Sequence, residues 1–461
     1  MPPKFGTSGL RGLVTDLTDD LCSGYVRAFL SVSPHNGTLL IGRDLRASSA
    51  RISQAVMKGA HAMGIATVDC GEVPTPALAL AAMSRGSPAV MVTGSHIPAD
   101  RNGLKFYSAL GEISKADETA IHAAFIADQG GKPEGHAENV DDPSAGQSYI
   151  RRYVGFFGPD ALKGLRIGNY QHSSVARDIL SEVLTALGAE TVDLARSETF
   201  VPVDTEAVDQ ATRDMLRDWA RQHRLDAIVS ADGDGDRPLV ADETGTAIAG
   251  DVLGVLTALQ VGADTVVTPV SSNTMIERLG VFARVLRTKI GSPYVIAGMQ
   301  AAGGRTVGFE ANGGFLLGFD AKGSCGGMGR LMTRDSLLPI LAPLAVSAGR
   351  KIPLSALTAG LPRRYTASDR LQGVATDKSL ALVAQLTDDP LARQSFFAAL
   401  GLEKNVDLTD GLRVSFASGD IVHLRPSGNA PELRCYGEAD AAAKAERLVR
   451  NTLDKARTSL G

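Results

Sequence analysis

Cysteine is scarce in this sequence. Cys22, Cys70, Cys325 and Cys435 lie far apart and form no CxxC pair. That argues against a structural zinc site or a disulfide scaffold and fits a reducing cytoplasm. Excess charge is missing as well. Lys and Arg number 47 against 51 Asp and Glu, a formal net charge of −4, so there is no basic footprint for nucleic acid. Long apolar runs are also absent: the longest uncharged stretch, Ser336 to Gly349, is broken by Pro339 and Pro343 and is too short to span a bilayer. The opening residues MPPKFGTSGLRG contain no apolar segment of the signal-peptide kind. The expectation is a soluble cytoplasmic protein with no nucleic-acid or membrane partner.

What is present is glycine, 50 residues of it, in a chain 44% hydrophobic and 21% charged. Glycine at that frequency suggests many loops whose backbone approaches something closely. At 461 residues the chain is too long for one ordinary core, and two to four domains are expected.

The first third alternates strand-like and helical runs. TLLIG (38–42), ATVDC (66–70) and AVMVT (89–93) read as strands, with helices over 48–64 and 75–84. Such alternation predicts parallel strands joined by helices. Residues 129–147, rich in Gly, Pro and charge, read as a linker. A second series follows, with strands LRIGNY (165–170), TVDL (191–194) and DAIVS (226–230) and helices near 174–187 and 206–223. Then comes a hairpin-like segment over 238–250. A third series has strands TVVTP (265–269), VLRT (285–288) and TVGFE (306–310). The last hundred residues differ, with a hairpin over 412–427 and a long helix over 440–460. In open α/β sheets ligands bind beyond the carboxyl ends of the strands. TGSH, ADGDGDRP and EANGG all follow strands in that way, so packing around one cleft would bring them together.

ADGDGDRP is the most specific local signal. Asp232, Asp234 and Asp236 are spaced by glycines and can turn their oxygens toward one point, which suits Mg²⁺. The plain alternative is a solvated acidic turn. An EF-hand loop is excluded because its sixth position is Arg237 and a strand precedes it. Three carboxylates leave an octahedral Mg²⁺ short of ligands, and a phosphorylated Ser95 would supply another. Ser95 could equally be a nucleophile or a helix cap, although no GxSxG elbow occurs in the chain. Lys105 is either a proton donor and acceptor or a solvated lysine. RPSGNAPELRCY (425–436) suits a phosphate monoester, or else is a plain β-turn. GRDLRASS (42–49) and GEVPTP (71–76) read as structural loop-to-helix transitions.

Taken in order, FGTSGLRG, GRDLRASS, PTP, TGSHIPADRNGLKFY, DGDGDR, the Glu310 loop and RPSGNAPELR make the chain resemble the α-D-phosphohexomutase family. The resemblance implies three similar α/β domains with mixed sheets plus a C-terminal α+β domain around a central cleft. These would cover residues 1–140 (phosphoserine loop), 149–250 (metal), 251–355 (sugar recognition) and 360–461 (phosphate). It implies one Mg²⁺ held by Asp232, Asp234, Asp236 and the phosphate on Ser95. Arg11, Lys105 and His96 would assist proton transfer and charge stabilisation, and Arg237 would lie beside the metal loop. Glu310 and Asn312 would read the sugar, with Lys289 near them. Arg425, Ser427, Gly428 and Asn429 would grip the phosphate that is not reacting.

Three departures from the family pattern put the sugar's identity in question. The sugar loop has Asn312 and Gly314 where serine and histidine are common. The phosphate loop has Asn429 and Ala430 in place of Thr and Glu, and Ile97 stands where asparagine is usual. The expected activity is interconversion of hexose 6-phosphate and hexose 1-phosphate, mannose first and glucose second, through a bound 1,6-bisphosphate. The alternatives are a phosphoglucosamine mutase, a Mg²⁺-dependent sugar-phosphate phosphatase and a non-catalytic sugar-phosphate binder. The expected assembly is a monomer or homodimer.

Overall fold

The computed structural model describes residues 3–5, 9–128, 137–427 and 431–460. Three α/β units come first. In the first sheet Thr38–Arg43 lies between Ala66–Glu72 and Ala89–Val92, all parallel, and Arg101–Ser108 pairs antiparallel with Ala89–Val92. The run Ala-Val-Met-Val is buried at every position, as a central strand covered on both faces must be. In the second sheet Glu190–Arg196, Arg166–His172 and Ala227–Ala231 are parallel, and Pro238–Ala241 pairs antiparallel with Ala227–Ala231. In the third, Arg284–Thr288, Thr265–Pro269 and Thr306–Phe309 are parallel, and Phe315–Leu317 returns antiparallel to Thr306–Phe309.

One geometry therefore recurs. In each unit the parallel series ends in a strand that turns back into an antiparallel neighbour. The turns are residues 93–100, 232–237 and 310–314, which contain Ser95, the three aspartates and Glu310. Each is a short connection at the carboxyl end of a strand, where backbone N–H groups and side chains are free to face a cleft.

The C-terminal unit is different, as expected. Its sheet is antiparallel throughout, in the order Tyr365–Gln372, Glu432–Ala439, Ile421–Pro426, Leu412–Phe416, Glu403–Asp407, and the helix Ala442–Leu460 packs on it. It has its own core, built from Leu382, Leu412, Val414, Phe416, Leu433, Leu453 and neighbours. The first three units share a large continuous core that reaches from Leu40 to Leu357.

Two sequence expectations need correction. The supposed linker is partly regular structure: Asn139–Asp141 adds a parallel strand beside Ala66–Glu72, and Ser144–Phe157 is a helix. Residues 129–136 of it lie outside the described residues. The helix expected from residue 206 begins at Gln210, because Asp209 is its N-cap and accepts from the Thr212 N–H. Residues 206–208 are thereby left outside the helix, continuous with the segment from residue 199.

Candidate active site

Ser95 sits just past Ala89–Val92 in a backbone conformation that L-residues seldom adopt, with φ 54°. Arg46 holds it there. That buried guanidinium donates to the carbonyls of Ser95 (2.7 Å), Ile97 (2.6 Å), Pro98 (2.7 Å) and Arg101 (2.9 Å). Asp44 pairs with Arg46 at 3.1 Å and accepts from Thr93 Oγ1 at 2.7 Å, and Thr93 Oγ1 in turn receives the Ser95 N–H at 2.7 Å. Gly94 is required here, since a Cβ would stand 2.6 Å from Arg46 Cζ. GRDLRASS is thus more than a loop-to-helix transition: it is the scaffold of the serine loop.

The fixed serine meets the aspartates. Ser95 Oγ donates to Asp232 Oδ2 at 2.7 Å and lies 3.3 Å from His96 Nδ1. Asp232, Asp234 and Asp236 are fully buried, and each offers a carboxylate oxygen within 4.8 Å of the others'. Asp234 Oδ1 and Asp236 Oδ1 have no hydrogen-bond partner. Buried, mutually repelling carboxylates with idle oxygens are what a hard divalent cation needs, so the residues fit Mg²⁺. Burial, reinforced by Asp234 and Asp236, pushes the Asp232 carboxyl well above its usual range. Burial also opposes ionisation of Asp234, but the Lys105 ammonium and Thr75 hydroxyl override it and hold that carboxyl low.

The countercharges converge from several strands. Lys105, on the strand beside Ala89–Val92, donates to Asp234 at 2.5 Å and Asp236 at 2.7 Å. Among the described residues its hydrogen bonds go to the aspartates, not to Ser95. Arg11, in register with Gly103 on the next strand, is pushed down to about 10 by burial and then by Arg237 and Arg334, and remains cationic. Those arginines act on His96 too: Arg237 first, then burial and Arg11, hold its imidazole far below the usual range, hence neutral. Thr75, from the PTP segment, donates to Asp234 Oδ2 at 2.6 Å.

A cavity of about 290 Å³ opens beside this cluster, lined by His96, Arg237, Glu310 and Asn312 together with Arg434 and Tyr436 of the C-terminal unit. Glu310 is buried with its Oε2 lacking a hydrogen-bond partner. Asn312 uses its side-chain oxygen to accept from the Gly314 N–H at 3.0 Å. Lys289 is exposed and reaches the Tyr294 ring (6.0 Å to its centroid), away from the cavity lining. Arg425 is paired with Asp410 at 2.8 Å, and Ser427 is buried. Gly428 and Asn429 lie outside the described residues.

Four residues with functional contacts were not singled out from sequence: Arg46, Thr75, Arg434 and Arg334. Arg334 is buried, with Nη2 3.1 Å from Asp236 Oδ2 and Nη1 3.9 Å from Glu310, so it joins metal loop to sugar loop. It lies along Gly314, where a Cβ would stand 2.8 Å from Arg334 Cγ. The glycine that looked like a lost histidine is the space in which an arginine runs.

Known proteins share this order of domains. Sequence models of phosphoglucomutase/phosphomannomutase match in chain order: alpha/beta/alpha domain I over residues 2–130, domain II over 147–245, domain III over 241–365 and the C-terminal domain over 373–455. The chain belongs to the phosphoglucomutase/phosphomannomutase family. Within that family, a phosphomannomutase of Sinorhizobium fredii is 46% identical, over 97% of this chain and 98% of the relative. A phosphomannomutase of Salmonella muenchen is also 46% identical, over 99% and 96%. A phosphoglucomutase/phosphomannomutase family protein of Burkholderia thailandensis superposes with a TM-score of 0.78 at 23% identity, over 98% of this chain and 96% of that one. Membership of the phosphoglucomutase/phosphomannomutase family makes the protein a hexose-phosphate mutase, an isomerase that transfers a phosphoryl group intramolecularly.

Proposed function

We propose that the protein interconverts mannose 6-phosphate and mannose 1-phosphate through phosphorylated Ser95 and a bound mannose 1,6-bisphosphate. The observation that carries this reading is Ser95 Oγ held 2.7 Å from Asp232, at the edge of the buried aspartate cluster. A phosphoryl group on that oxygen would stand among Asp232, Asp234 and Asp236, which would hold Mg²⁺ beside it. When bound, Mg²⁺ supplies charge neutralisation on the phosphoryl oxygens.

The residues of the chain perform the rest. The free hydroxyl of the sugar phosphate attacks the phosphoserine; its new O–P bond forms as the Ser95 Oγ–P bond breaks. The hydroxyl's proton ends on Ser95 Oγ, and the neutral His96 imidazole, 3.3 Å away, is placed to pass it across. Lys105 and Arg11 face the same cluster as fixed cations and stabilise the charge spread over the moving group. The bisphosphate then turns over, and its other phosphate returns to Ser95. Arg425 and Ser427, with Gly428 and Asn429, grip the idle phosphate in both orientations, while Glu310 and Asn312 read the sugar. Mannose is preferred over an amino sugar because the two phosphomannomutases are 46% identical. A phosphoglucosamine mutase of Symbiobacterium thermophilum is 28% identical.

Two measurements test this. Ser95→Ala abolishes mutase turnover, and the Ser95 peptide of freshly purified wild-type protein carries a phosphate in its mass spectrum. Full activity of the variant would overturn the carrier role. Comparing kcat/KM for mannose, glucose and glucosamine 1-phosphates ranks the sugars. Release of inorganic phosphate in place of an isomerised product would reveal a phosphatase, and binding without turnover a sugar-phosphate binder.

A further inference from the structure

The segment of residues 199–208, which precedes the helix Gln210–His223, enters the cleft. It is fastened along its length. The Phe200 ring lies 3.9 Å from the Arg46 guanidinium of the serine-loop scaffold and packs on Gly233, where a Cβ would stand 2.9 Å from it. The Val201 N–H donates to Ser173 Oγ at 2.7 Å, and Val203 is buried in the second unit's apolar cluster. The buried Thr205 hydroxyl donates to the Asn312 carbonyl at 3.1 Å, tying the segment to the sugar loop. Asp204 then accepts the N–H groups of Glu206 (3.0 Å) and Ala207 (3.3 Å), which fixes the backbone from which Glu206 projects.

Glu206 lines the same cavity as Glu310 and Asn312. Among the described residues, no hydrogen bond and no ion pair within 4.0 Å engages its carboxylate. A carboxylate presented by a hydrogen-bonded turn to a ligand cavity, near Arg237 and Arg434 but with no hydrogen bond of its own, is an acceptor waiting for donors. Of the cavity's other carboxylates, Asp204 holds its own turn and Asp369 accepts the Arg370 N–H, while its basic groups, Arg237, Arg370 and Arg434, suit phosphate oxygens. They cannot accept from sugar hydroxyls. Asn312 has its side-chain oxygen occupied by the Gly314 N–H.

We propose that Glu206 is a second sugar-reading carboxylate, accepting a hydrogen bond from a ring hydroxyl of the hexose phosphate alongside Glu310. The sugar site is then built from two units, with one carboxylate on the hairpin of the third and one on a tethered loop of the second. The substrate class this arrangement selects is a hexose phosphate whose ring hydroxyls are free, with one of them indispensable. The inference rests on the cavity being the sugar site of the proposed mutase.

The test combines substitution of the residue with deletion of each hydroxyl. Wild type, Glu206→Gln and Glu206→Ala are assayed with glucose 6-phosphate, mannose 6-phosphate and the 2-, 3- and 4-deoxyglucose 6-phosphates. Loss of one hydrogen bond to a charged group predicts that Glu206→Ala lowers kcat/KM about 10- to 100-fold on the parent sugars, with Gln retaining part of the activity. For one deoxy sugar that loss should vanish, because its partner hydroxyl is already gone. An equal loss on all five sugars, or no loss on any, overturns the proposal. Unchanged melting temperatures confirm that the variants fold. Affinities of the same panel for Ser95→Ala and Ser95→Ala/Glu206→Ala proteins, by calorimetry, need no turnover. A failed mutase reading and a failed Glu206 reading are therefore told apart: the first leaves the affinity pattern intact, and the second removes it.

Discussion

Ser95 combines a reactive position with backbone strain. Its φ of 54° puts a Cβ against the following carbonyl, which costs about 1 kcal/mol relative to glycine. The four carbonyl bonds from Arg46 and the bond from Ser95 Oγ to Asp232 keep it there. A pair of variants separates strain from chemistry. Ser95→Ala and Ser95→Gly both remove the hydroxyl, so both are expected to be inactive. Only glycine also relieves the backbone, so Ser95→Gly should be the more stable by about 1 kcal/mol in denaturant unfolding. Equal stability would show that the left-handed conformation carries no cost here.

At the scale of elements, three hairpin turns hold the residues assigned to the chemistry, and each is held by groups from elsewhere in the fold. Arg46→Lys keeps the charge near Asp44 but cannot span four carbonyls with one ammonium. Displacement of the serine loop should lower kcat about 100-fold while, in dephosphorylated protein, the aspartate loop on another unit keeps its affinity for Mn²⁺ as a Mg²⁺ probe. Affinity falling in parallel with kcat would mean that the loops are not independent. A second element carries a pH signature. Asp251, in the first turn of the helix Gly250–Gln260, accepts the Asn273 N–H at 2.8 Å while its Oδ1 has no partner, and burial raises its carboxyl to about 6. A carboxyl raised in the fold favours folding below its unfolded value near 4, and that contribution is lost as pH climbs through 6. Asp251→Asn cannot ionise and keeps an oxygen for Asn273. It should match wild type near pH 4 and exceed it above pH 6 by up to about 3 kcal/mol, read from melting curves across that range. These elements also show what the sequence conveyed. Glycine, aspartate and serine loops following apolar runs are local signals, so the strands, the aspartate cluster and Ser95 were legible. Arg334 sits in LMTRDSLLP, an ordinary strand entering a helix, and its partners Asp236 and Glu310 are distant in the chain. Nothing local marks it. The helix starts at Gln210 because Asp209 caps it, while Thr205 is engaged with Asn312, a contact distant in the chain.

The whole molecule is divided energetically between the shared core of the first three units and the separate core of the C-terminal unit. Specific polar contacts cross the divide. Asn273 donates to the Arg364 carbonyl at 2.9 Å, the Thr274 hydroxyl bonds Glu438, and Asp410 accepts the Ile290 N–H at 2.9 Å while pairing with Arg425 at 2.8 Å. Polar contacts of this kind exchange with water and with ligand at little net cost, unlike a shared apolar core. Asp410 occupies the guanidinium assigned to the substrate's idle phosphate, so an arriving phosphate must compete with it. Ligand binding and the position of the C-terminal unit are thereby coupled through Arg425. Addition of a hexose 1,6-bisphosphate to the Ser95→Ala protein, which cannot accept the phosphoryl group, should contract the molecule as the unit closes over the cleft. Small-angle scattering would register a smaller radius of gyration. Asp410→Ala loses both the ion pair to Arg425 and the acceptor of the Ile290 N–H that crosses the divide, so its unliganded form should be more open than the parent while its bisphosphate complex is the same size. Identical scattering from all four samples would mean that the C-terminal unit is fixed, and the turnover of the bisphosphate would then have to occur in a cleft of constant shape.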